Sequence, residues 1–285
     1  MKSKGLKKTF RIISAILILW LVFAQSCMQF RISDKKAKET FARANVDLTT
    51  AEIIVDGFNM HYAKTGNDTF PTLFFVHGSP GSWNAFEKYM QDKDLLSKYR
   101  MIAVDRPGFG YSNFNDAQNL SRQAVLITPL IKSLQNNKPI YAIGHSLGGP
   151  MIVKLQEDNL NLFSGLVFLA ASVDPNAEKP EKWRFILKNS PLRYFLPGAF
   201  RPSNDELWYL KKDLKELDKE WYKINCPVWI IHGDKDTFVP VSNVDYAKRK
   251  LTAAKKVEIK ILPGAGHFIP WERYNDIKEV LMNLY

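Results

Sequence analysis

The stretch Ile140-Tyr141-Ala142-Ile143-Gly144-His145-Ser146-Leu147-Gly148-Gly149 decides the fold. A short apolar run breaks at Gly-x-Ser-x-Gly, and the helix-spaced segment Leu147 to Leu155 follows. Strand, sharp turn and helix form the setting of a nucleophile elbow. The turn is strained, so its flanking positions need glycine to avoid side-chain clashes. It lifts the Ser146 oxygen above the sheet. The helix behind it points its positive end at a reacting carbonyl. The bare pentapeptide is common; the strand before it and the helix after it make it informative.

Outward from this point the same grammar repeats. Thr72 to Val76 (TLFFV), Met101 to Val104 (MIAV), Leu166 to Ala171 (LVFLAA), Val228 to Ile231 (VWII) and Val257 to Leu262 (VEIKIL) read as further strands. Asn119 to Leu134 has helical apolar spacing, and a last helix begins at about Glu272. Ala51 to Val55 and Met60 to Ala63 read as a hairpin turning at Asp56-Gly57. Short, continuously apolar strands separated by helices imply a mostly parallel sheet covered on both faces. The expected fold class is therefore α/β, doubly wound, with active residues at the carboxyl ends of the strands.

One stretch interrupts the alternation. Residues 175–225 hold no apolar strand but many aromatics, Trp183, Phe185, Tyr194, Phe195, Phe200, Trp208, Tyr209, Trp221 and Tyr222 among them. They read as a small helical cap inserted into the domain. Its aromatics either line a substrate pocket or glue the insert to the sheet; for any single ring, packing is the expectation.

Five motifs follow strands in order: His77-Gly78-Ser79-Pro80-Gly81-Ser82; Asp105-Arg106-Pro107-Gly108-Phe109-Gly110-Tyr111-Ser112; the Ser146 elbow; His232-Gly233-Asp234-Lys235-Asp236; and Gly264-Ala265-Gly266-His267. Together they resemble the α/β-hydrolase fold family over residues 51–285, in its serine esterase and lipase branch. The resemblance implies a triad in the chain order Ser, acid, His. Ser146 would be the nucleophile and Asp236 the acid, with Asp234 and Asp174 as other candidates for the acid. The chain has five histidines, and of these only His267 follows Asp236, which makes it the base. His61, His145 and His232 read as satisfied core or surface residues. The loop after His77 would supply the Ser79 backbone N–H to an oxyanion hole, and Leu147 the other. The Asp105-Arg106 loop would be architectural.

The N-terminus carries an address. Lys2, Lys4, Lys7, Lys8 and Arg11 precede an apolar run from Ile12 to Ala24, followed by Gln25, Ser26 and Cys27. Residues 1–26 read as a signal peptide or a membrane anchor. The apolar run is short against the roughly 20 residues of a membrane span. Ala24-Gln25-Ser26-Cys27 also resembles a loose lipobox, which would make Cys27 a lipidation site. Every version implies export or membrane attachment through the N-terminus. Residues 27–50 read as a tether or short helix.

Net charge is +11, or +6 with residues 1–26 removed, and the excess is spread along the chain. No basic-aromatic motif suggests nucleic acid. Two cysteines, with neither Cys-x-x-Cys nor His-Glu-x-x-His, give no disulfide framework and no metal site, and no cofactor is expected. Cys226 reads as a small buried residue.

The expected partner is a small acyl substrate. A serine at the elbow argues against dehalogenation and epoxide opening, for which the family uses Asp. The leading expectation is a carboxylic ester hydrolase for a small to medium apolar acyl group. A perhydrolase or acyltransferase with the same triad, a carbon–carbon bond hydrolase, and an inert membrane-tethered binding protein stand as alternatives.

Overall fold

The computed structural model describes residues 2–179 and 181–284. Met1, Pro180 and Tyr285, which fall within the expected address, cap and hydrolase segments, lie outside the described residues. Eight strands form one sheet in the order β1-β2-β4-β3-β5-β6-β7-β8. They are β1 Thr49–Val55, β2 Phe58–Thr65, β3 Thr72–Val76, β4 Arg100–Val104, β5 Ile140–His145, β6 Gly165–Leu169, β7 Val228–Gly233 and β8 Val257–Leu262. The β1/β2 and β2/β4 pairs are antiparallel; the other neighbours are parallel. The α/β, doubly wound reading therefore holds.

The hairpin closes as its sequence requires. Val55 pairs with Phe58, and Asp56 and Gly57 both take positive φ, 50° and 75°. That is the two-residue turn whose twist matches the flanking strands. Strands β3 to β7 are buried at every residue, which is why they read as unbroken apolar runs.

Eleven helices accompany the sheet among the described residues: α1 Lys2–Ser26, α2 Asp34–Arg43, α3 Glu87–Met90, α4 Lys93–Leu96, α5 Leu120–Ser133, α6 Gly148–Asp158, α7 Lys182–Lys188, α8 Phe200–Leu217, α9 Ser242–Lys250, α10 Ile269–Glu272 and α11 Tyr274–Met282. Two apolar clusters cover the two faces of the sheet. One gathers Phe74, Ile102, Leu130, Ile152, Phe168 and Trp221; the other holds Phe75, Trp83, Tyr99, Ile143, Trp229 and Ile277.

Residues 27–50 are not a free tether. Ser33 caps α2 by accepting from the Lys36 N–H, and α2 drives Ala37 and Phe41 fully into the second cluster. Phe41 meets the Trp83 ring at 6.0 Å. The apolar positions of α2 are few because charged residues fill its outer side.

Among its described residues the insert carries α7, a 3-10 turn at Pro191–Phe195, α8, and a second 3-10 turn at Trp221–Lys223, with no strand. Its aromatics divide. Trp221 is buried in the core, whereas Trp183, Phe185, Tyr194 and Tyr222 face outward.

Candidate active site

Ser146 stands between β5 and α6 with φ of +54°, in the left-handed region. Non-glycine residues rarely sit there, and a buried frame has to hold them. Here the Ser146 N–H donates to Leu169 O at 2.9 Å, and its carbonyl accepts from Gly149 N–H at 2.9 Å and Ser172 N–H at 3.2 Å. The flanking glycines are needed for close approach. A Cβ on Gly144 would lie 2.3 Å from Gly148 O, and one on Gly148 would lie 2.1 Å from Val76 O. The Ser146 side chain is half-buried, at the N-terminus of α6.

Asp236 leaves the end of β7 in a tight turn. Its Oδ1 accepts from the Phe238 and Val239 N–H groups at 2.9 and 2.8 Å. Its Oδ2 accepts from His267 Nδ1 at 2.7 Å, and the carboxylate is fully buried. Burial by itself would raise its pKa. Hydrogen bonds from His232 and His267 and from the Val239 backbone outweigh it, and Asp236 is held well below the ordinary carboxylate range. An ionised carboxylate only accepts, so His267 Nδ1 is the donor in this pair.

His232 and His145 support this pair. His232 Nε2 donates to Val239 O at 2.9 Å and lies 3.5 Å from Asp236 Oδ2. His145 Nε2 donates to the His267 carbonyl at 3.1 Å, with the two rings 5.0 Å apart. Burial, reinforced by His267, pushes the His145 pKa down to about 3, so this ring stays neutral. The residue next to Ser146 thus holds the His267 backbone against the elbow. Among the described residues no hydrogen bond joins Ser146 Oγ to His267; such bonds commonly tighten only when substrate arrives.

The other acid candidates point elsewhere. Asp234 is exposed and accepts from the Gly264 N–H at 2.7 Å, bracing the loop that carries His267. Asp174 caps its own turn through the Asn176 N–H at 2.8 Å. His61 is buried in the core with Nδ1 2.8 Å from Asp105 Oδ2, but it is not fully satisfied: its Nε2, 3.4 Å from Asp34 Oδ1, has no hydrogen-bond partner among the described residues.

Beside the elbow runs the loop after β3. A Cβ on Gly78 would lie 2.9 Å from Ser146 Cβ. Arg106, fully buried, donates to His77 O at 2.8 Å and to Gly78 O at 2.9 Å. The same guanidinium grips Glu206 of α8 at 2.6 and 2.9 Å. Ser79 Oγ donates to Ser203 Oγ of α8 at 2.8 Å. Burial and the Arg106 charge keep the His77 pKa well below normal, so His77 accepts the Arg106 N–H as a neutral ring.

Three aromatics missing from the sequence reading stand at the His267 loop, two of them against its ring. Phe238 and Phe268 lie 5.5 and 5.7 Å from its ring, and Trp271 lies 6.0 Å from Phe268. All three are substantially exposed, Phe238 at 70%. The available signal was their position: Phe238 two residues after Asp236, Phe268 directly after His267. Among the described residues no three His, Cys, Asp or Glu side chains gather into a metal-holding group.

The profile of the alpha/beta hydrolase family matches residues 73–277, from the strand before the first loop to the last helix. The chain belongs to the alpha/beta hydrolase family. Relatives in that family include the uncharacterized hydrolase YugF of Bacillus subtilis (strain 168). It is 26% identical over 266 residues, covering 79% of this chain and 93% of YugF. A monoglyceride lipase homolog of Monkeypox virus is 23% identical, covering 75% and 88% of the two chains. Among solved structures, a membrane phospholipase A described as a bacterial virulence factor superposes with a TM-score of 0.60 at 18% identity. It covers 100% of this chain and 99% of its own.

Proposed function

We propose that this hydrolase cleaves a carboxylic ester, or a related acyl bond, through an acyl-enzyme on Ser146. The observation that carries the reading is the buried Asp236–His267 pair, bonded through Nδ1 and held beside a strained serine turn. His267 Nε2 takes the Ser146 proton as Oγ attacks the carbonyl. Asp236 fixes the tautomer and stabilises the imidazolium. Collapse expels the alcohol with a proton from His267, and water releases the acyl group by the same route.

Ser79 and Leu147 are the donors for the developing oxyanion. In a trans peptide the N–H points opposite the preceding carbonyl. Gly78 O is turned to Arg106, so the Ser79 N–H faces away from the guanidinium. Leu147 is the N-cap of α6, at the helix end whose backbone N–H groups have no helical partner. Two such donors are worth several kcal/mol to a tetrahedral oxyanion.

The rim of Phe238, Phe268 and Trp271 supports an apolar acyl group. Attachment through the N-terminal helix supports a membrane location: Gly5–Ser26, 22 residues, is long and apolar enough to cross a bilayer.

The test is labelling with a fluorophosphonate probe, wild type against Ser146→Ala, beside p-nitrophenyl esters of increasing chain length. Wild type is expected to label, the alanine variant to stay blank, and rates to rise with chain length before falling. A folded wild type that never labels would remove the triad reading. A flat profile would remove the apolar preference.

A further inference from the structure

The N-terminal helix and the cap are joined. Trp20 Nε1 donates to Phe195 O at 3.1 Å and Gln25 Nε2 to Tyr194 O at 2.9 Å. The Gly198 N–H donates to Ala24 O and the Ala199 N–H to Met28 O, both at 2.9 Å. Arg201 donates to Gln25 Oε1 at 2.7 Å, and the Phe30 ring meets the edge of Phe200 at 5.5 Å. The fit is close: a Cβ on Gly198 would lie 2.2 Å from Met28 O. A chain cut after Ser26 would lose the Trp20, Ala24 and Gln25 contacts. Away from this junction α1 stands clear, with Ala24 its one buried residue among those described.

Next to the junction the cap shows an apolar face to the outside. Helix α7 buries none of its residues, and Trp183, Phe185 and Ile186 are each about half exposed. Leu192 and Tyr194 continue the face along the turn that holds Trp20 and Gln25. Contiguous exposed rings and aliphatics mark an interaction site. Between residues 178 and 193 there are five basic residues and two acidic; Arg184 pairs with Glu181 and Arg193 with Asp205, which leaves Lys179, Lys182 and Lys188 for an anionic surface. Arg184 stacks over Trp183 at 4.4 Å. Apolar side chains interleaved with lysine and arginine suit an anionic lipid surface.

We propose that α1 stays on the mature chain as a membrane anchor and that the outer face of the cap, residues 182–195, seats on the leaflet from which α1 emerges. The occupant is lipid because the face continues an exposed helix about 33 Å long, at ~1.5 Å per residue over the 22 residues Gly5–Ser26, against a bilayer core of ~30 Å. The contact rests on the membrane attachment proposed above and is independent of the catalytic reading.

The experiment uses the full chain, its N-terminus verified by mass, in vesicles of phosphatidylglycerol and phosphatidylcholine with bromines high on the acyl chains. Emission of wild type minus that of Trp183→Phe isolates one ring. That difference is expected to fall by about half on bromination, as for a ring buried ~5–10 Å into the headgroup boundary. In Phe185→Ser/Ile186→Ser/Leu192→Ser the quenching of Trp183 should be lost, with the unfolding temperature unchanged. A Trp183 difference indifferent to bromine would place the face in water or against a second copy and overturn the seating. A chain that fails to float with vesicles, or whose mass starts at Cys27, would overturn the anchor. Neither readout requires a turning-over enzyme.

Discussion

A hydroxyl attacks a carbonyl only where a base can reach it; among the described residues no hydrogen bond joins Ser146 to His267, and on the proposed mechanism that bond forms as substrate arrives. Asp236 is fixed by two backbone N–H groups whether or not it is charged, so Asp236→Asn should keep the fold. The asparagine amide would favour the proton on His267 Nε2 and leave no lone pair for Ser146. A loss of about 10⁴ in kcat is expected, by analogy with the chymotrypsin triad. Stopped-flow acylation at saturating ester measures it; a loss under tenfold would move the acid elsewhere. A second residue tests burial. Glu157 is 2% exposed, and neither carboxylate oxygen has a hydrogen-bond partner among the described residues. Desolvation pushes its pKa up from 4.5 to about 8. The pKa is raised, so the stability it carries is present below about pH 4.5 and lost as pH rises toward about 8. Glu157→Gln removes that loss. It should match wild type near pH 4 and exceed it by a few kcal/mol near pH 9, at ~1.4 kcal/mol per pKa unit. Urea unfolding at the two pH values decides it; a gap independent of pH would mean that the carboxyl is solvated.

At the scale of elements, the site depends on a contact between segments far apart in sequence. Arg106, on the loop after β4, ties the His77 and Gly78 carbonyls to Glu206 of the cap helix α8. Glu206→Ala would strand a buried guanidinium, at a cost of about 3–5 kcal/mol. It should also slow acylation, because the Gly78–Ser79 peptide is oriented by that guanidinium. Urea unfolding together with acylation rates measures both; stability falling alone would make Arg106 purely architectural, as the sequence reading had it. Much else at this scale was legible. Strands β3 to β7 are buried on both faces and so announce themselves as apolar runs, and Asp56-Gly57 marks its turn by demanding positive φ. Helix α2 was read no further than tether or short helix because two buried residues, Ala37 and Phe41, carry its packing among charges. The rim at Phe238, Phe268 and Trp271 was missed because an exposed aromatic in a loop has no period to betray it. The outward turn of Trp183 and Phe185 was missed because composition records how many rings a segment has and not which way they face.

For the whole molecule, the deciding asymmetry is between the two ends of α1. Basic residues Lys2, Lys4, Lys7, Lys8 and Arg11 gather at its start, and the folded domain follows its end. Positive charge close to a span stays on the cytoplasmic side. If α1 spans as proposed, the hydrolase domain, with the cap face beside α1, is expected on the opposite side. That arrangement would let the enzyme draw an apolar ester from the outer side of the membrane, where the cap meets lipid. The excess of +6 beyond residue 26 has the sign that favours an anionic leaflet. The prediction is a topology. In a bacterium expressing the full chain, the protein should resist alkaline carbonate extraction, and protease added to spheroplasts should digest the hydrolase domain. Reversing the charge at Lys7, Lys8 and Arg11 to Glu should reduce the protease-accessible fraction severalfold, because the positive end no longer holds its side. Release by carbonate would exclude a span, and an inaccessible domain in intact spheroplasts would reverse the orientation.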